Sequence, residues 1–365
     1  MSETQTHDDD SGLILWLSRQ ALPIRIASFI VFVVLIIVLI VGITTSLYYV
    51  NLTNLPRQQP IALSESISVS EFVTFEDPEV YPAAVASAAN GTLFTGSYLD
   101  GTIWRVNATG DARVMPETES QIGSVIGLDV AADGTLYILD RHDPFMARGA
   151  TIWRLTTDNV LETHITIAAT GDTGITNPND IAVTNDGTLF VLDIQRGQIL
   201  QIADTTITPW WIVPSSDYQV AGLAYDPQNN SLFITDALQA AIYEIPVDAT
   251  DTEAARTVFY QETDEDETPL FNGITVGTDG QVYVSALGLN EIWQIDRTTA
   301  TVTALAGNYR GASDVAYDSV NQRLYINNWD QRWLQPVTFF IFQFNVPPRL
   351  PFSVDSIEWG TSASQ

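Results

Sequence analysis

The sequence predicts an all-β fold, a six-bladed β-propeller of four-stranded blades, preceded by one N-terminal transmembrane helix. Three observations predict it: a strand phrase written six times, an Asp-Gly-type turn inside each copy, and one long uncharged apolar run ahead of the first copy. The copies begin VASAANGTLFTGSYLDGTIWRV at Val85, LDVAADGTLYILD at Leu128 and IAVTNDGTLFVLDIQRGQILQI at Ile181. They continue with LAYDPQNNSLFITDALQAAIYEI at Leu223, ITVGTDGQVYVSALGLNEIWQI at Ile274 and VAYDSVNQRLYINNW at Val315. The apolar residue after each turn (Leu93, Leu136, Leu189, Leu232, Val282, Leu324) recurs at spacings of 43, 53, 43, 50 and 42 residues. That is the length of four short strands, and alternating β-branched and aromatic runs broken by NG, DG, NN and NQ turns are hairpin grammar. Six such units match the usual propeller range of about 4–8 blades.

Taken in order, residues 1–25 read as a cytoplasmic tail and juxtamembrane segment. Residues 26–50, IASFIVFVVLIIVLIVGITTSLYYV, carry no charge and exceed the roughly 20 residues that span a bilayer. The run is longer than a signal-peptide apolar core, and no A-x-A pattern closely follows it, so it reads as a retained anchor. Arg19 and Arg25 precede it and only Arg57 lies shortly after it. The positive-inside rule then puts the N-terminus in the cytoplasm and the propeller outside, at the cell membrane. Residues 51–67, with Pro56 and Pro60, form a linker, and residues 68–346 the propeller. The sixth repeat lacks a clear fourth strand, so residues 68–76 are assigned as the closing strand, which leaves no open ring edge. Its third strand is assigned to FFIFQF (339–344), and residues 347–365 to a C-terminal tail.

Composition excludes several chemistries. There are 44 acidic and 15 basic residues, every base is Arg, and Cys is absent. A surface this negative repels phosphate backbones, so nucleic acid is not an expected partner. Without Lys there is no Schiff base or P-loop lysine, and without Cys no disulfide, thiol nucleophile or cysteine-ligated zinc. No GxSxG, HExxH or GxGxxG pattern occurs, so hydrolysis here would have to be metal-assisted.

Propeller topology says where a site would lie. The residues that open the innermost strands (Ala83, Ile126, Asn179, Ala221, Asn272, Ser313) and the loops after the second strands share one face, because successive strands run antiparallel. Asp180 and Asp314 stand just behind two openers. The second strands end at Ser97, Asp140, Asp193, Asp236, Ser285 and Asn327. Oxygen-bearing side chains converging on a pore suit Ca²⁺, the one cofactor expected. Asp140, Asp193 and Asp236 recur with the repeat, which points to acceptors of backbone N–H bonds. Trp104, Trp153, Tyr243, Trp293 and Phe342 follow Ile in third strands and read as inter-blade packing. Tyr98, Trp329 and Trp333 lie at the pore mouth, where they can stack a ligand. Paired Trp210 and Trp211 read as a surface or membrane-facing patch.

At PNDIAV…DGTLFVLD and NGITV…DGQVYVS the chain resembles the senescence marker protein/gluconolactonase superfamily and its strictosidine-synthase-like, paraoxonase-like and NHL-repeat neighbours, over about Glu71 to Asn345. The resemblance implies a pore Ca²⁺ held by a first-blade Glu and by later Asn or Asp openers, polarising a lactone or ester carbonyl. Carried over by position, Asn179 and Asn272 are the Ca²⁺ contacts. Asp314 and His142 would handle the proton, Asp180 assisting, and Asp180, Trp329 and Tyr98 would contact ligand. The chain departs from the pattern at Ala83, where the family places Glu, at Ala221 for Asn, and at neutral Asn272 for Asp. The histidine partner expected of His142 falls near Ile126. Three functions stay open: an outward-facing propeller binding a small-molecule ligand or an envelope protein at the pore mouth, a membrane-tethered Ca²⁺-dependent lactonase or esterase, and a structural propeller whose blade edges or faces engage other envelope proteins. For Asn179 and Asn272 the alternative role is capping backbone groups.

Overall fold

The computed structural model describes residues 20–146, 149–264, 266–330, 337–339 and 342–360. The chain divides into two compact units, one of residues 1–56 with 336–346, the other of residues 57–335 with 347–365.

The larger unit is a six-bladed propeller, each blade an antiparallel sheet. Blade one comprises Pro82–Ser87, Leu93–Ser97, Ile103–Val106 and Ala112–Val114. Blade two comprises Val125–Val130, Leu136–Asp140, Ala150–Leu155 and Leu161–Ile167. Blade three runs Pro178–Val183, Leu189–Asp193, Gln198–Ala203 and Thr206–Ile212, and blade four Val220–Asp226, Ser231–Asp236, Ala241–Pro246 and Thr257–Gln261. Blade five adds a fifth strand, because Ile61–Ala62 pairs outside Val302–Gly307 after Phe271–Val276, Val282–Ala286 and Glu291–Ile295.

The first hairpin of each blade follows from its turn chemistry. In blade three Asp186 accepts the Thr188 N–H, and Gly187 takes φ +85°, a left-handed conformation that glycine adopts without strain. In blade four Asn230 adopts φ +50° at the same point, which asparagine tolerates better than most residues. Six apolar clusters lie between neighbouring blades rather than within one sheet. Four of the five aromatics expected to pack there do so: Trp104, Tyr243 and Trp293 are buried, and Trp153 packs beside the cluster between blades one and two. Trp211 joins them, contrary to the surface-patch expectation. It is 1% exposed, packs edge-on against Tyr243 and donates Nε1–H to Glu253 at 2.9 Å, while Trp210 is half-buried against Phe190.

Blade six differs from expectation in one strand. Its order from the pore outward is Val315–Asp318, Arg323–Asn328, Phe352–Trp359 and Ile67–Phe75. The N-terminal strand closes the ring, as the sequence suggested, and pairs with the last strand from Ile67↔Trp359 to Phe75↔Phe352. The third strand, however, is Phe352–Trp359 and not the 339–344 stretch, so the segment read as a tail belongs to the sheet. FSVDSIEW buries six consecutive residues in the centre of that sheet, whereas Phe342 lies in a separate hairpin. The return is pinned by a buried cation: Arg310 donates to the Arg349 carbonyl at 2.7 Å and the Pro351 carbonyl at 3.3 Å, and Asp330 accepts from Arg349 Nε at 2.8 Å. Burial pushes the Arg310 guanidinium down to about 10. Asn328 donates to Asp355 at 2.9 Å, inside the sheet.

Among the described residues, the smaller unit contains one helix, Leu22–Thr53, long and apolar enough to cross a membrane. It also contains a two-stranded hairpin, Val337–Phe339 with Phe342–Phe344.

Candidate functional site at the pore mouth

The innermost strands carry a β-bulge at the opener in five of the six blades. In blade three Pro178 faces Asp193 and Asp180 faces Leu192, so Asn179 is the extra residue. The register skips Ala83 and Ile126 in the same way, and skips Ala221 with Gly222 and Asn272 with Gly273. A bulged residue leaves the ladder and its side chain is re-aimed. The five bulged openers and Ser313 line one cavity of about 250 Å³, walled by Tyr98, Arg141, Asn177, Ile194 and Trp329 and floored by Asp180 and Asp314.

Asp180 and Asp314 occupy equivalent places in blades three and six, opposite each other in the ring. Asp180 accepts the N–H groups of Ile181 (2.8 Å) and of Leu223 in the next blade (2.7 Å). Asp314 does the same with Val315 and with Val85 of blade one, both at 2.8 Å. Each carboxyl is thus a clamp between adjacent blades. The neighbouring positions hold small residues because the backbones are too close for more: a Cβ on Gly273 would lie 2.5 Å from the Asp314 Cα, and one on Gly222 2.3 Å from the Asn272 carbonyl. On the far side of this constriction lies a second cavity of about 300 Å³, lined by Asp129 together with Asp180 and Asp314, by small apolar side chains, and by Tyr225 and Tyr317. Asp129 clamps Val130 and Val183, each at 2.8 Å.

Burial raises all three acids, despite the opposing N–H bonds: Asp129 to about 6, Asp314 to about 7, and Asp180 well above the ordinary range. The negative field of Asp314 adds to the rise at Asp180, and that of Asp129 to the rise at both. The cavity floor is therefore poorer in negative charge than the composition of the chain suggests.

The cation of the cavity is Arg141. Its Nη1 donates to the Tyr98 hydroxyl at 2.8 Å, and the guanidinium carbon lies 5.4 Å from the centre of that ring. The Tyr98 hydroxyl donates in turn to the Pro144 carbonyl at 2.7 Å. Burial pushes the Tyr98 phenol up, so it remains protonated. Among the described residues no carboxylate pairs with Arg141, and its Nε is buried without a hydrogen-bond acceptor. Trp329 is 6% exposed, stands edge-on to Tyr98 at 5.4 Å, and has no acceptor for its Nε1–H among the described residues. Unpaired buried donors of this kind are costly and are filled by a ligand acceptor or water.

The other expected residues separate into two groups. Asn179, Asn272, Asp180, Asp314, Tyr98 and Trp329 all line this one cavity. His142 does not: its backbone takes φ +68°, its N–H is held by Asp140, and its Nε2 meets the Thr151 hydroxyl at 2.8 Å. Trp333 lies outside the described residues. Asp140, Asp193 and Asp236 serve as acceptors for backbone N–H groups, Asp193 taking those of Thr176, Asn177, Gln195 and Arg196. Arg141 escaped the sequence reading, although a signal existed. Cavity residues Tyr98, Arg141 and Ile194 each stand one place beyond the second-strand ends Ser97, Asp140 and Asp193.

The donors do not fit the Ca²⁺ centre that the resemblance implied. Such a centre takes about 6–8 oxygen ligands and gains affinity from their charge. Ala83, Ile126 and Ala221 bring no side-chain oxygen, and Asn179 donates its Nδ2 to the Ala221 carbonyl at 2.6 Å, the capping role. Asp180 and Asp314 have every carboxyl oxygen engaged by a backbone N–H. Among the described residues no group of three or more His, Cys, Asp or Glu is placed to hold a metal.

Solved structures similar to this chain share the fold at low identity. The gluconolactonase XC5397 from Xanthomonas campestris aligns with a TM-score of 0.57 at 14% identity, covering 84% of this chain and 96% of that one. Selenomethionine-substituted virginiamycin B lyase from Staphylococcus aureus gives 0.53 at 14%, over 80% and 100%. A PQQ-bound aldose sugar dehydrogenase from Streptomyces coelicolor gives 0.52 at 18%, over 81% and 99%. No curated protein matches the chain in sequence. The SMP-30/gluconolactonase/LRE-like family model covers residues 82–327, two-thirds of the sequence and nearly the whole blade array, and the chain therefore belongs to that family.

Proposed function

We propose that the chain is a single-pass, membrane-anchored propeller that faces away from the cytoplasm and binds a small carboxylate-bearing ligand at the pore mouth. The observation that carries this reading is Arg141, a cation without a carboxylate partner among the described residues, set in a cavity of about 250 Å³ beside Tyr98 and Trp329. A planar carboxylate suits the guanidinium fork, and the two aromatic rings suit a flat or apolar ligand body. The Trp329 indole N–H and the amides of Asn179 and Asn272 supply neutral polar contacts that set orientation. Anchoring by Leu22–Thr53 is supported by its length and by the uncharged run from Ile26 to Val50 within it, and the outward orientation by Arg19 and Arg25 ahead of that run.

A Ca²⁺-dependent lactonase or esterase is the second reading. Family membership and the presence of Asn179 and Asn272 in one cavity favour it, and the poor donor set argues against it.

One experiment separates the two. Small aromatic carboxylates, their uncharged amides and Ca²⁺ are titrated calorimetrically into the chelator-stripped full chain. The binding reading expects carboxylates to bind and amides to bind at least about tenfold more weakly, with Arg141→Ala abolishing the difference. Equal binding of acids and amides would sink the carboxylate assignment. Micromolar Ca²⁺ binding lost in both Asn179→Ala and Asn272→Ala would replace this reading with the hydrolase.

A further inference from the structure

Between Arg332 and Arg349 the chain carries no charged residue and includes four phenylalanines, in a protein otherwise rich in acids. This stretch contains the hairpin of the smaller unit, whose register pairs Val337 with Phe344, Thr338 with Gln343 and Phe339 with Phe342. Strand alternation therefore places positions 337, 339, 342 and 344 on one face of the ribbon and positions 338 and 343 on the other. The polar face carries a cross-strand contact, Gln343 Nε2–H to the Thr338 hydroxyl at 3.4 Å. An isolated two-stranded ribbon is marginal in water, so it needs a further element to pack on.

It meets the apolar helix. The ring of Phe339 stacks on that of Tyr48, with centroids 4.4 Å apart and an interplanar angle of 14°. Tyr48 stands ten residues beyond Val38, the middle of the uncharged run from Ile26 to Val50. At 1.5 Å per residue that is about 15 Å, the edge of a hydrocarbon core roughly 30 Å thick. Tyrosines concentrate at this depth because the ring is apolar and the hydroxyl is wet. A ring stacked on Tyr48 shares its level.

We propose that the hairpin Val337–Phe339/Phe342–Phe344 is a second membrane-contact element, lying in the interfacial layer beside the helix at the level of Tyr48. The inference rests on the anchoring reading above. In sequence, the outermost strand of blade six follows the helix and linker, and the hairpin is an insertion between its second and third strands.

The chain has no cysteine, so single labelling sites can be introduced cleanly. Nitroxide labels at Phe339→Cys and Thr338→Cys in the full chain, reconstituted in phosphatidylcholine vesicles, are compared with labels at Ile37→Cys in the helix and Asp158→Cys in a blade-two turn. The readout is the ratio of relaxation by oxygen, which enters lipid, to relaxation by an aqueous nickel chelate. The expected ratio at Phe339 approaches that at Ile37 and exceeds that at Asp158 by at least about tenfold, with Thr338 between them. A lipid-like Ile37 with a Phe339 ratio equal to that of Asp158 overturns the hairpin proposal and leaves the anchor standing. A water-like Ile37 overturns both.

Discussion

Blades three and six use the same inner clamp and are built in opposite ways. Blade three is one continuous stretch, 178–212, in which each strand meets the one before it across a short turn. Blade six is assembled from three separated stretches, 67–75, 315–328 and 352–359. Asp180 and Asp314 nevertheless make equivalent bonds, each spanning its own backbone and that of the next blade. Ring closure thus depends on long-range partners, whereas the pore lining is set by local strand grammar repeated at each blade. Blade six compensates for absent turns with tertiary pins: Arg310 and Arg57 on the Pro351 carbonyl, Arg310 also on that of Arg349, Arg349 on Asp330, and Asn328 on Asp355.

The largest expected effect breaks that assembly outright. A chain ending at Pro351 loses the third strand of blade six and leaves Ile67–Phe75 without its partner, exposing a sheet edge on each side. It is expected to lose cooperative melting by circular dichroism, and an unchanged transition would return residues 352–365 to the status of a tail.

Paired substitutions sharpen the comparison next. Phe352→Ala in blade six and Phe190→Ala in blade three each remove a fully buried ring. Both are expected to cost about 3–5 kcal/mol in urea denaturation. A cost at Phe352 well below that at Phe190 would mean that the assembled blade is loosely packed and yields around the cavity.

The smallest effect concerns the clamps themselves. With folded values of about 6 for Asp129 and about 7 for Asp314, and with Asp180 also raised well above the ordinary carboxylate range, these acids hold protons that the unfolded chain releases above about pH 4. Their stabilising contribution is present below about pH 4 and is lost as pH rises through about 7. The acids lowered by hydrogen bonding, such as Asp186 and Asp296, titrate below this window and do not offset it above pH 5. The melting temperature is expected to be about 2–4 °C higher at pH 5 than at pH 8. Asp314→Asn is expected to flatten part of that slope, and Asp180→Asn a similar part. A slope unaltered in both variants would show that the clamps stay charged.

The candidate site was legible residue by residue but not as a constellation. Asn179, Asn272, Asp180 and Asp314 could be placed because the strand phrase aligns them, and Tyr98 and Trp329 because they follow a second strand. Arg141 was passed over beside His142, since which of two adjacent loop residues faces a cavity is set by backbone angles and not by spacing. His142 turns to Thr151 at a positive φ, and Arg141 turns inward to Tyr98.

The six repeats, their turn residues and the uncharged run from Ile26 to Val50 determined the architecture from sequence alone, because short strands joined by tight turns leave little freedom in pairing their neighbours. The tertiary structure alone decided the third strand of blade six. FFIFQF and FSVDSIEW both read as strands, and the choice rests on which fits between Arg323–Asn328 and Ile67–Phe75 with Asp355 reaching Asn328. It also decided the charge of the pore, because the desolvation that raises Asp129, Asp180 and Asp314 exists only once six blades enclose them.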